Sequence, residues 1–327
     1  MPEPSARGPG IPGRSEAWPE RPGPAGAKSG VKVRIGFGLG VAGLKDEGRF
    51  AQLVDALEGN GFDSLWLSER VAGDAPDPVV GLSYAAGRTE RLKLGTSVQV
   101  LPGRNPALLA KEWASLDRLS GGRALPAFGL GNPIAAEHQA FGVAREDRSP
   151  IFDEALPLLR RLWSEDDVHH DGKWFQYDGL TVHPKPTNGH LDVWLGGRAK
   201  SELRRCGRLG DGWLASFVTP ADCAAGRPVI EEEAERAGRI IDPEHFGAMV
   251  TYSHDAIPDA LRARLAALRG DIDAADLVPV GLPALHARLA EYVSVGFSKL
   301  VLVPLAEPDD WHAELARIAD AVFDLQT

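Results

Sequence analysis

Cysteine is nearly missing from this chain. Cys206 and Cys223 are the two in 327 residues, too few for a disulfide framework and without the spacing of zinc ligands. That scarcity fits structural thiols in a reducing cytoplasm. Long apolar runs are missing too: stretches such as Leu300-Val301-Leu302-Val303 have the length of a strand, far below the ~20 residues of a membrane helix, which argues against a membrane-spanning chain. There is no excess of positive charge either. The 36 basic side chains face 46 acidic ones, which argues against a general nucleic-acid or anionic-membrane surface. No Gly-x-Ser-x-Gly elbow, Walker loop or paired-carboxylate signature at strand ends is present, so hydrolysis through a side-chain nucleophile is disfavoured.

Residues 1–30 hold seven prolines and six glycines and lack the apolar segment of a signal peptide. They read as a disordered tail, followed by one domain over 31–327. From Val33 onward short apolar runs alternate with segments of helical period, the pattern of βα units around a parallel sheet. Strands are expected at Val33–Leu39, Phe62–Leu67, Leu92–Val98, Arg123–Leu130, Leu191–Leu195, Gly212–Ser216, Phe246–Tyr252 and Lys299–Val303. Helices fit between them. Asn105-Pro106 supplies a cap and a pre-set first turn for one, and Ser149-Pro150 starts another. Eight such units predict an α/β fold, a single (β/α)8 TIM barrel, with an excursion over Asp166–His190 between strands 4 and 5.

In such a barrel, binding and catalytic groups come from the carboxyl ends of the strands. Four segments acquire that address: Ser68-Glu69, Thr96-Ser97-Val98, Gly129-Leu130-Gly131 and Gly196-Gly197-Arg198. Gly196-Gly197 precedes Arg198-Ala199-Lys200 and a helix, so backbone N–H groups, a helix N-terminus and two cations converge where an anionic cofactor group would be stabilised. Taken alone, the same residues also read as a tight turn with solvated cations. Gly129 and Gly131 would let a flat ring approach the backbone. Glu69 reads as a pocket carboxylate or as the start of a solvated loop, and His138 as an acid–base imidazole over the mouth or a surface group. His169-His170 falls in the excursion, and Ile35-Gly36-Phe37-Gly38 offers no ligand at the first strand's end, so no metal is expected.

Gly61-Phe62-Asp63-Ser64-Leu65-Trp66-Leu67-Ser68, Leu94-Gly95-Thr96-Ser97-Val98, Leu119-Ser120-Gly121-Gly122-Arg123, Pro184-Lys185-Pro186, Gly196-Gly197 and Arg208-Leu209-Gly210-Asp211-Gly212-Trp213 occur in that order. Together they resemble the luciferase-like monooxygenase superfamily, and within it the oxidoreductases that use the deazaflavin coenzyme F420. The resemblance covers roughly Val33–Val303. It implies a ring at the carboxyl mouth of the barrel, a non-prolyl cis peptide at Ser97–Val98, ring or side-chain contacts from Leu130 and Gly131, and an anionic tail lined by Gly196, Gly197, Ala199 and Lys200. Two positions depart from the pattern. Ser68-Glu69-Arg70 stands where many relatives have Ser-Asp-His, and Asn132 where some carry an acid.

The expected function is transfer of a hydride between coenzyme F420 and a small organic substrate, with Glu69 and His138 as candidate catalytic groups. An FMN-dependent monooxygenase and a non-catalytic flavin-binding barrel are the alternatives. The expected partners are a small-molecule substrate and, in a homodimer, a second copy of the chain, with neither nucleic acid nor membrane.

Overall fold

The computed structural model describes residues 31–39, 44, 46, 48–131 and 135–327. The tail expected over 1–30 lies outside them, as does Asn132. The chain opens with β1 (Arg34–Gly38), α1 (Gly48–Asn60), β2 (Ser64–Leu67), α2 (Pro78–Arg88), β3 (Lys93–Thr96), β4 (Gln99–Val100) and α3 (Pro106–Ser120). It continues through β5 (Ala124–Leu125), β6 (Ala127–Gly129), α4 (Ala135–Phe141), α5 (Arg148–Ser164), β7 (Val168–Asp171), β8 (Gln176–Leu180), β9 (Trp194–Leu195) and α6 (Lys200–Leu209). The last part comprises β10 (Gly212–Ser216), α7 (Pro220–Arg236), β11 (Phe246–Tyr252), α8 (Asp259–Leu268), α9 (Ala274–Leu277), α10 (Leu282–Ser294), β12 (Lys299–Pro304) and α11 (Trp311–Val322).

The fold is α/β. Ten strands form one curled sheet in the order β4-β6-β9-β10-β11-β12-β1-β2-β3-β5, with every pairing parallel. The third expected strand is followed past its end by a second short one, β4, and the fourth is split in two. Ser97-Val98 separates β3 from β4; the fourth breaks at Pro126, which has no N–H to give the ladder. Both halves still pair, Leu94 with Ala124 and Gln99 with Phe128. The Thr96 hydroxyl fills the gap between them, donating to the Ala127 carbonyl at 2.7 Å and accepting the Ala127 amide at 2.8 Å. Within Asp166–His190, β7 and β8 form a separate antiparallel pair, where His169 meets Asp178 at 2.8 Å and His170 meets Glu154 at 3.2 Å.

Period-two alternation sorts the core. On β12, Leu300 and Leu302 join the large cluster under the helices, while Val301 and Val303 join Trp66, Ala127, Trp194 and Leu214 on the face enclosed by the sheet. The two indoles fill that interior, and neighbouring glycines make room for them. A β-carbon on Gly95 would lie 2.4 Å from Trp66, and one on Gly212 2.7 Å from Trp194. At the amino edge of the strands, Asp63 binds Lys299 and lies 3.4 Å from Lys93. Burial pushes the Lys299 ammonium down to about 8 against the pull of Asp63, so this cluster has the character of a structural ion pair. No helix among the described residues is long and apolar enough to cross a membrane.

Candidate active site

Because the strands run parallel, their carboxyl ends share one edge. Just past β2, Ser68 Oγ lies 3.0 Å from the Ser97 carbonyl and 3.1 Å from Ser97 Oγ, and the Glu69 amide donates to the Val98 carbonyl at 3.3 Å. The Ser97–Val98 peptide between these contacts is cis. Glu69 is drawn into the same corner. Its Oε2 accepts the Val100 amide at 2.6 Å and its Oε1 binds the Arg104 guanidinium, whose Nε donates to the Val100 carbonyl at 3.0 Å. The carboxylate is 6% exposed, and burial pushes its pKa up more than Arg104 and the Val100 amide lower it. Glu69 thus clamps β4 to the rim and is not the start of a solvated loop.

Val98 is the centre of the corner. A β-carbon on Gly129 would lie 2.6 Å from Val98 Cγ2, and one on Gly196 3.1 Å from Val98 Cγ1. The room that Gly129 was expected to give a ring is therefore taken by Val98, so the surface open to a ligand there is the half-buried isopropyl group itself. Gly131, with φ +88, turns the chain beyond β6, where a β-carbon would meet Val100 at 3.3 Å and the Arg148 guanidinium at 3.6 Å. Leu130 is half-buried, and its carbonyl accepts from Arg148 at 3.4 Å.

The start of α6 also differs from the sequence reading in one respect. Its amides are not unshielded. Glu202 Oε2 accepts both the Arg198 and the Ala199 N–H at 2.9 Å, and lies 2.8 Å from where a β-carbon on Gly197 would stand. Ala199 has no side-chain acceptor to cap the helix, so the acid one turn on supplies it. The Gly197 carbonyl is fixed by the Trp213 indole at 2.9 Å. Arg198 turns away to the Leu268 carbonyl at 2.9 Å, while Lys200 is exposed.

His138 lies on α4, and its side chain is outside the described residues. Its neighbour Glu137 pairs with Arg70 at 3.5 Å, so the arginine that replaces the expected histidine ties α4 to the end of β2.

Four features of the rim were not found from sequence. Arg104 has no local signal. Glu202 was legible as an acid in a first helical turn behind a residue unable to cap. Phe217, 43% exposed at the end of β10, adopts φ +54, a region aromatic residues seldom visit. Beyond β11, His254 Nε2 lies 2.6 Å from Glu314 Oε1, which also accepts the Tyr252 hydroxyl at 2.9 Å, while Arg317 binds the other oxygen. Glu314 is 2% exposed and His254 37%. Burial raises the Glu314 pKa, but the bonds from His254, Arg317 and Tyr252 outweigh it and hold the carboxyl below its usual range.

Residues 30–296 match the family described as luciferase-like monooxygenase. The F420-dependent glucose-6-phosphate dehydrogenase of Kineococcus radiotolerans is 31% identical over 204 residues, 59% of this chain and 60% of that protein. The chain thus spans about three fifths of that relative's length. An F420-dependent secondary alcohol dehydrogenase in complex with an F420–acetone adduct superposes with a TM-score of 0.74 at 19% identity, over 90% of this chain and all (100%) of that one. The oxygenating constituent of 3,6-diketocamphane monooxygenase from Pseudomonas putida, in complex with FMN, gives 0.72 at 17%, covering 89% of this chain and 98% of that one. At these identities the two structures attest the fold.

Proposed function

The chain belongs to the luciferase-like monooxygenase family, and from that premise we propose that it is an oxidoreductase that exchanges a hydride between coenzyme F420 and a small organic substrate. The observation that carries the reading is at the start of α6, where two amides already converge on a carboxylate beside Gly197. An anion seat is built there, with Lys200 exposed beside it, and Gly196 joins it to the Val98 shelf. These residues fit a cofactor that has an apolar ring at one end and an anionic tail at the other. Gly197, Ala199 and Lys200 would hold the tail once Glu202 moves aside, with Arg198 contributing its amide. Val98, Leu130, Gly131 and Ser97 would face the ring.

The same premise supports reading β3 with β4, and β5 with β6, as single strands. The sheet then has eight members, each with two neighbours, as in a (β/α)8 barrel, and residues 166–190 become its excursion. Residues 31–327 are then one domain, with 1–30 a tail.

The coenzyme, when bound, supplies the carbon that takes or gives the hydride. The chain supplies orientation and proton handling. In the oxidative direction the chain's own part would be to take the carbinol O–H proton onto a base as C=O forms. Glu69 is occupied by Arg104 and the Val100 amide, and its part is positioning. His254 suits the base: Glu314 Oε1, 2.6 Å from its Nε2, orients the ring, and the side chain is open to solvent. His138 is the second candidate.

A fluorescence titration of the purified protein with coenzyme F420 and with FMN tests the cofactor. Tighter binding of coenzyme F420 is expected. Tighter FMN binding would replace the dehydrogenase by a monooxygenase reading, and binding without turnover of any alcohol or enone would leave a ligand-binding barrel.

A further inference from the structure

We propose that the Thr251 hydroxyl donates a hydrogen bond to the reacting oxygen of the substrate, an inference that rests on the coenzyme F420 reading above and adds a residue to it. The first ground is topology. Ser97-Val98 joins β3 to β4, and β11 stands opposite that joint in the curled sheet: β6, β9 and β10 lie between β4 and β11, and β2, β1 and β12 lie between β3 and β11. Packing agrees. Val98 and Met249 both lie against the enclosed cluster of Trp66, Trp194, Val301 and Val303. A flat ring resting on Val98 therefore turns its free face, the one a substrate can approach, toward β11.

The pleat then selects the side chain. Along β11, Phe246, Ala248, Val250 and Tyr252 join the cluster under the helices, so Gly247, Met249 and Thr251 point into the enclosed face. Gly247 verifies the direction, since a β-carbon there would lie 3.1 Å from Trp194. Thr251 is nearest the carboxyl end of the three, paired with Val303 of β12 and half-buried.

The remaining ground is which hydroxyls are uncommitted. Thr96 is spent on Ala127, Ser64 on the Trp66 indole, and Ser68 and Ser97 on one another. Among the described residues, the Thr251 hydroxyl has no hydrogen-bond partner. Ser216 at the end of β10 is equally free, but β10 borders β9 and its Gly196-Gly197 turn, where the coenzyme's tail is placed, while β11 is one strand further round. A substrate oxygen that enters an apolar mouth loses its water, and a fixed donor restores the bond. The gain is greatest as charge develops on that oxygen during hydride exchange. Thr251 keeps its own proton throughout; the carbinol proton goes to the base.

The test uses the protein loaded with oxidised coenzyme F420, which has no hydride to give, and cyclohexanone as the probe. Infrared difference spectra read the C=O stretch of the bound ketone, and calorimetry reads its affinity. The stretch should move to lower frequency on binding to the wild type. Thr251→Ser keeps the hydroxyl and should keep that shift. Thr251→Val keeps the branched shape of a strand residue but not the hydroxyl; it should lose the shift and bind cyclohexanone about fivefold more weakly, with coenzyme affinity unchanged. Absence of cyclohexanone binding, an unshifted stretch in the wild type, or a shift that survives in Thr251→Val overturns the inference. So does a parallel fall in coenzyme affinity, which would give Thr251 to the coenzyme. Failure of the coenzyme to bind in the fluorescence titration sinks the underlying reading instead, and is seen without any ketone present.

Discussion

The Cγ2 methyl of Val98 stands 2.6 Å from the place a β-carbon on Gly129 would occupy. Two neighbouring strands therefore interlock through one missing side chain, directly beside the cis peptide. Gly129→Ala must push Val98 off the shelf, and overpacking of this kind costs ~1–3 kcal/mol. Urea denaturation should show that loss, and Gly129→Ala with Val98→Ala should recover part of it, as expected of directly coupled positions. Additive losses in the double variant would show that the two groups do not share the space.

The sheet was legible because its apolar runs are short, alternate with segments of helical period and are punctuated by Gly and Asn-Gly signals. Even so, the break at Pro126 was not foreseen, since it lies in apolar company, nor was the resumption of the ladder at Gln99–Val100 beyond the strand end expected at Val98. The rim was legible as a set of addresses but not as a set of contacts. Sequence placed Glu69, Ser97 and Gly196 at strand ends. It had no means of showing that Glu69 is committed to Arg104, 35 positions on, or that Glu314 reaches back 60 positions to His254. Nor did it show that the space beside Gly129 and Gly197 is taken by Val98 and Glu202.

Glu202 caps a helix and occupies an anion seat at once, so its removal should move two measurements in opposite directions. Glu202→Ala leaves the Arg198 and Ala199 amides without their acceptor and should destabilise the protein by ~1 kcal/mol, as loss of a helix cap does. The vacated seat should raise affinity for coenzyme F420 several-fold in a fluorescence titration, while a deazaflavin lacking the phosphate tail binds as before. Equal gains for both ligands would place the tail elsewhere.

Glu69 gives a pH dependence with a definite sign. Its folded-state pKa is raised above the ordinary 4.5, with burial the largest cause, so the fold penalises the ionised form. The stability it contributes is present below the ordinary value and lost as pH rises through the folded value. Glu69→Gln does not titrate. Relative to the wild type, the variant should therefore look worst in acid and improve as pH rises into the neutral range. Denaturation midpoints at pH 4 and pH 7 check this, and a difference that grows in the opposite sense would mean that Arg104 outweighs burial.

His254 and Glu314 separate a catalytic from a structural role. Glu314 titrates with the opposite sign to Glu69. Its carboxyl is held low by His254, Arg317 and Tyr252 in spite of burial, so its stabilising effect is present above the ordinary 4.5 and lost as pH falls through the folded value. Glu314→Ala should cost ~1–3 kcal/mol at neutral pH, because the buried Tyr252 hydroxyl loses its acceptor. His254→Gln retains an N–H for Glu314 and should fold normally, but it removes the ring proposed to accept the substrate proton. Turnover should fall ~10²–10⁴-fold, with coenzyme affinity and KM little changed. The limb of the pH–rate profile that reports a base should vanish with it. If that limb survives at full rate in a folded His254→Gln protein, the base lies elsewhere on the rim, and α4, which carries His138, is the next element to test.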